Sequence, residues 1–261
     1  MGQPFFVPED FAALRRDRVR SENPAVIAAR KSAAERLRAL HRGHLARFMS
    51  DRGLHPHPNS NFWTNVFFPK WEANGEWVDY LRFGYGKEGR LVREMADRAG
   101  FVRELTPLGT TDHMAFHYVA QVQLGLTCDY WWFNFYVDDK AWLEQVNLLE
   151  KVKQPAQRRM CVALLQDLID QGFELRIWST QERGVTDHAR ETPEEFLEDL
   201  ARYRRDRLAI NVDIEQRFDP DNPANDTEVL PGLARRQFEA LLPLYRFWSW
   251  HPTANHYIPG L

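Results

Sequence analysis

"HMAFHYVAQVQLGLTCDYWWFNFYV", residues 113–137, decides the fold. Two runs rich in aromatic and β-branched residues flank "TCD", a short connection suited to an antiparallel hairpin. Alternation along the first arm puts His113, His117, Gln121 and Gln123 on one face and Met114, Phe116, Tyr118, Val122 and Leu124 on the other. One side of the hairpin is therefore core and the other polar.

Strand texture continues on both sides. "FWTNVFF" (62–68), "WVDYLRF" (77–83) and "FVREL" (101–105) precede the hairpin, and "FELRIW" (173–178) and "RLAINVDIEQRF" (207–218) follow it. Helical periodicity covers 9–20, 24–52, a segment capped by Asp138 or Asp139 and running to about 153, and 156–171. A further helix opens at "TPEEFLEDLARYRRD", with Thr192 as cap, Pro193 in the first turn and Glu195 completing a capping box, and the last begins near 232. This order predicts an α+β fold, a mostly antiparallel sheet covered by helices on one face, with residues 1–53 as a basic helical N-terminal segment and 54–261 as the α+β domain.

Net charge is only −3, but it is unevenly spread. Residues 1–53 hold 11 Lys/Arg against 6 Asp/Glu, while the rest of the chain holds 23 against 31. A basic segment of this kind suits phosphate contacts, with Arg15, Arg16, Arg36 and Arg42 as the candidates and the aromatics near 130–136 as stacking platforms. Two cysteines imply neither a disulfide framework nor a thiolate zinc site. Without a run of some 20 apolar residues no membrane span is expected, and "MGQPFFVPEDF" has no basic region followed by an apolar one, so a cytoplasmic location is the expectation.

Four patterns could carry chemistry. Gly84, Gly86 and Gly89 have the G-x-G-x-x-G spacing between a strand and a helix, with Glu104 placed for a ribose. The stretch 83–105 resembles the first β-α-β unit of Rossmann dehydrogenases or the glycine motif of S-adenosylmethionine methyltransferases, which would imply nucleotide or S-adenosylmethionine binding. Against it, Asp79 and Arg82 interrupt a strand that such a sheet would bury on both faces, and an antiparallel hairpin follows. His55, His57, His113 and His117 could hold a divalent metal, the last two sharing one face of a strand or a helix. Asp129, Asp138 and Lys140 match the D-x(8)-D-x-K spacing of metal-dependent nucleases, and Asp213 with Glu215 forms another carboxylate pair.

From Tyr130 to Phe218 the order of aromatic strand, "DDK" turn, two helices, Gly172, "FELRIW" and a charged strand resembles an accessory domain of unknown activity in bacterial restriction-endonuclease-like proteins. The resemblance implies a nucleic-acid or defence setting, not a reaction. Three functions follow as expectations: a bacterial nucleic-acid-associated protein of a defence or DNA-processing system; a metal-dependent enzyme using a pocket of His113, His117, Gln121, Asn134 and Tyr136 with Asp138 and Lys140 in catalysis; or a module that docks a protein partner through residues 1–53.

Overall fold

A computed structural model of the chain describes residues 2–56, 78–99, 116–254 and 256. The segments 62–68 and 101–105, and with them His57, Glu104 and His113, lie outside the described residues.

The protein is α+β. Its helices are α1 (Pro8–Ala12), α2 (Pro24–Leu40), α3 (Ala46–Ser50), α4 (Gly89–Ala99), α5 (Trp142–Lys151), α6 (Pro155–Asp170), α7 (Pro193–Arg205) and α8 (Leu230–Trp248). The strands β1 (His55–Pro56), β2 (Leu81–Gly86), β3 (Gln121–Leu126), β4 (Trp131–Val137), β5 (Glu174–Trp178), β6 (Ala189–Arg190) and β7 (Asn211–Phe218) form one sheet in the order β1-β2-β3-β4-β7-β5-β6. β5 pairs antiparallel with both β6 and β7. The hairpin forms as read, but its first arm starts at Gln121, after a 3-10 turn over Phe116–Tyr118.

The chain divides into two compact units, one of residues 1–85, 123–133 and 217–238, the other of 86–122, 134–216 and 239–261. In the first unit Phe5, Phe6, Phe11 and Leu14 are buried, each worth roughly 1.5–3 kcal/mol of apolar burial. Phe6 lies 6.2 Å from Trp131, which stacks on Phe218 at 4.3 Å, and the Asn225 side chain accepts from Phe6 N–H and donates to Phe6 C=O, both at 2.8 Å. Residues 1–53 are thus packed into this unit.

The periodicity predicts a helix over 9–20, yet α1 ends at Ala12. The cause is Arg30 on α2, fully buried, which donates to the carbonyls of Ala13 and Arg18. Those acceptors are satisfied by a side chain in place of a helical ladder. α2 and α3 are joined by a π-turn over His41–Leu45, and Gly53, at φ +74°, closes the run while Leu54 N–H reaches back to Met49 C=O.

In the second unit α7 packs on β5 and β6, and α6 on β5. The register pairs Leu175 with Ile214 and Ile177 with Val212, so these apolar side chains share one face of the sheet. Arg176 pairs with Asp213 and Glu174 with Glu215 on the other. Thr192 caps α7 as expected, accepting from Glu195 N–H at 3.2 Å. The Glu195 carboxylate bonds the N–H of Glu191, one residue earlier than a capping box requires. Asp138 and Asp139 do not cap α5, which starts at Trp142 with Ala141 at the N-cap and no side-chain cap.

Candidate functional site

β4 alternates as the sequence suggests. In the second unit Phe135 meets Tyr245 and Trp248 on one face, while Asn134 and Tyr136 emerge on the other. That second face is polar and buried. Asn134 donates to Asp213 at 2.7 Å, Tyr136 O–H donates to Asn211 at 2.9 Å, and Arg176 lies 3.7 Å from the buried Glu215. A buried polar surface is costly unless its groups find partners, so the network fixes these side chains in place.

Just past β4, Asp138 gathers the strongest interactions of the face. His117 Nδ1 donates to Asp138 Oδ2 at 2.7 Å, and Lys140 N–H donates to Asp138 Oδ1 at 3.1 Å. Burial raises the Asp138 pKa, but the charge and hydrogen bond of His117, with the bonds from Asp139 and Lys140, outweigh it and hold the carboxyl below its ordinary value. Because an ionised carboxylate only accepts, His117 carries its proton on Nδ1 when neutral. The neighbouring Asp139 moves the other way, pushed up to about 7 by burial and by the charge of Asp138. Asp138 and Asp139 interact directly, so the two carboxyls bind and release protons as a pair beside an imidazole held in one orientation.

Of the expected catalytic set, the structure joins His117, Asp138 and the backbone of Lys140. Asp129 stands before β4 and Asp138 after it, so the nuclease-like spacing is stretched over a strand of roughly 20 Å. Of the expected metal ligands, His55 is exposed on β1. His251 Nδ1 meets Thr253 Oγ1 at 2.9 Å, and the backbone N–H of His256 donates to Asn147. Among the described residues no three His, Cys, Asp or Glu side chains group to hold a metal ion. Burial pushes the Cys161 thiol up to about 12.

The glycine pattern has a different geometry from a phosphate cradle. Gly84 and Gly86 belong to β2 itself, and α4 begins at Gly89. A Cβ on Gly86 would face Ala120 C=O at 3.4 Å, and one on Gly125 would strike Leu81 C=O at 2.8 Å. Since 86 neighbours 120 and 81 neighbours 125, β2 runs antiparallel to β3; the second strand expected for a dinucleotide unit, 101–105, lies outside the described residues. Lys87 then turns inward, its side chain 5% exposed, to pair with Glu144 and donate to Ser249 Oγ at 2.7 Å, while Glu144 also accepts from Trp250 N–H. This buried tie had no signal in the sequence beyond a lysine in an odd place.

The basic residues of 1–53 also divide. Arg36 is paired with the buried Asp10, Arg15 with Asp17 at 3.2 Å, and Arg16 is exposed. Arg42 lines a cleft of about 360 Å³ in the first unit, with Arg47, Arg52 and Arg235, His44, Phe48 and the single acid Asp51. Its shape follows from the π-turn: Arg235 on α8 donates to His44 C=O through Nε at 3.2 Å and Nη2 at 3.0 Å. Arg52 lies 3.7 Å over the Phe48 ring and donates to Phe48 C=O. Arg47 is 94% exposed and sits 3.7 Å from Asp51. Four guanidiniums line the cleft with one carboxylate, Asp51, while Glu35 lies 4.0 Å from Arg42, so positive charge predominates and the surface attracts anions.

No helix among the described residues is long and apolar enough to cross a membrane. No protein-family model matches the chain, and no curated protein matches it.

Proposed function

We propose that the protein binds nucleic acid, with phosphates of the backbone seated in the cleft of Arg42, Arg47, Arg52 and Arg235. The single observation that carries this reading is the convergence of four arginines from two distant parts of the chain on one cleft holding one acid. Guanidinium planes match phosphate oxygens with paired hydrogen bonds, and each phosphate neutralised releases counterions, so affinity must fall with salt. The likeness of residues 130–218 to an accessory domain of restriction-endonuclease-like proteins supports a bacterial defence or DNA-processing setting. Arg15, Arg16 and Arg36 are not part of this reading, because the cleft does not include them.

Fluorescence anisotropy with labelled single-stranded and duplex DNA and with RNA, at low and physiological salt, tests it. The expected result is salt-sensitive binding that weakens in Arg47→Ala and Arg235→Ala. Binding that ignores salt, or that both variants retain, would sink it.

The His117–Asp138 pair favours a second reading, an enzyme that moves a proton on the polar face of the second unit. Loss of turnover in both His117→Gln and Asp138→Asn, across a panel of ester and phosphodiester substrates, is its expected mark. Elemental analysis of untagged protein decides whether a stoichiometric metal accompanies it.

A further inference from the structure

The second unit contains a groove of about 510 Å³ between α5, α6 and α7, a volume in the range of small-molecule sites. Its floor is apolar, made by Val146 and Leu149 of α5, Val152 just beyond it and Leu197 of α7. Val152 and Leu197 are buried, while Val146 and Leu149 are half-buried and open to the groove. The rim is basic. Lys153 is matched by Glu150 at 2.5 Å, but among the described residues no carboxylate pairs with Arg158 or Arg204.

Arg204 is the informative member. It is half-buried, its Nη1 donates to Leu208 C=O at 3.3 Å, and its Nε is buried with no acceptor among the described residues. A guanidinium withdrawn from water without a counter-charge is destabilising, and burial lowers its pKa accordingly. An apolar floor alone would suit many occupants; an apolar floor under an uncompensated arginine selects one that ends in an anion.

We infer that this groove binds a small amphipathic carboxylate, its apolar chain laid along Val146, Leu149 and Leu197 and its carboxylate received by Arg204 and Arg158. The groove size favours a small molecule over an acidic helix, whose buried face would need a far longer trough. The site is independent of the nucleic-acid reading, since every residue that lines it belongs to the second unit.

Isothermal titration of the full chain with decanoate, decanol and decyltrimethylammonium at fixed ionic strength tests the assignment. Decanoate is expected to bind at least about tenfold more tightly than decanol, the increment of a charge-assisted hydrogen bond, with the cation weakest. Arg204→Ala should lose about tenfold in decanoate affinity on the same grounds. Ala201→Trp, at an exposed position lining the groove, should block binding with no change in charge, and its melting curve shows whether it remains folded. Failure of decanoate to bind, equal affinity for the three amphiphiles, or undiminished binding in folded Ala201→Trp would overturn the inference. So would binding of an acidic amphipathic peptide with decanoate silent.

Discussion

The arginine cleft of the first unit and the His117–Asp138 centre of the second use charge in opposite ways. In the cleft, Arg42 and Arg47 are 66% and 94% exposed, and their partners lie at 4.0 and 3.7 Å, so they contribute little to stability and remain available to a ligand. In the polar centre, Asp138 is almost wholly buried and receives bonds from His117 and Lys140, so its charge is committed to holding the site together. Charge held in water recruits partners, and charge withdrawn from water specifies geometry. Lys87 with Glu144 is the extreme of the second kind.

Variants can break this contrast. Glu144→Ala strands Lys87 in the interior and should cost about 3–5 kcal/mol in urea unfolding, or prevent folding altogether. Gly125→Ala drives a Cβ into the Trp132 ring and 2.8 Å from Leu81 C=O, with an expected loss of about 1–3 kcal/mol.

The aspartates respond to pH with opposite signs. Asp138, depressed in the folded state, contributes stability that is present above its unfolded pKa and is lost as pH falls through and below about 4. Asp138→Asn removes that dependence and should destabilise at neutral pH by about 1–3 kcal/mol. Asp139, raised to about 7, makes the folded state bind more protons than the unfolded between about 4 and 7, so stability falls as pH rises across that window. Asp139→Asn should therefore stabilise at pH 8, by on the order of 1 kcal/mol because the group is only partly buried, and do nothing at pH 3. Stability curves against pH for both variants decide the matter, and parallel curves would refute the assignment.

Arg47→Ala and Arg235→Ala should change stability by less than about 0.5 kcal/mol while each lowers the salt slope of oligonucleotide binding by about one. Gly86→Ala should cost under about 1 kcal/mol, since its Cβ meets Ala120 C=O at a tolerable 3.4 Å.

Much of the fold is legible in local pattern. The hairpin, the Thr192 cap and the Gly53 terminus each depend on neighbours in sequence. Asn134 and Tyr136 were legible as one face of a strand because strand periodicity is two, whereas His117, expected on the same strand as Gln121, lies in the 3-10 turn before it. The rest depends on partners far along the chain. Asp138 reads locally as a helix cap, and only the fold brings it to His117, 21 residues earlier. Arg235 reads as an ordinary helix residue, yet it completes the cleft across 191 positions by binding His44 C=O. The charge excess of residues 1–53 was real as a count, but a count does not separate the buried Arg30 or the paired Arg36 from the exposed Arg42 and Arg47.

The π-turn at His41–Leu45 makes the cleft sensitive to how the chain is wound as well as to its composition. A π-turn holds one residue more than an α-turn. Winding the same residues as a regular helix, with none lost, would rotate everything after them by up to roughly 100°. Arg47 and Arg52 would keep their neighbours in sequence but leave the side of the helix that Arg235 reaches. The wide turn thus acts as a phase setting: regular winding here, with no residue lost and no charge altered, would disperse the arginines.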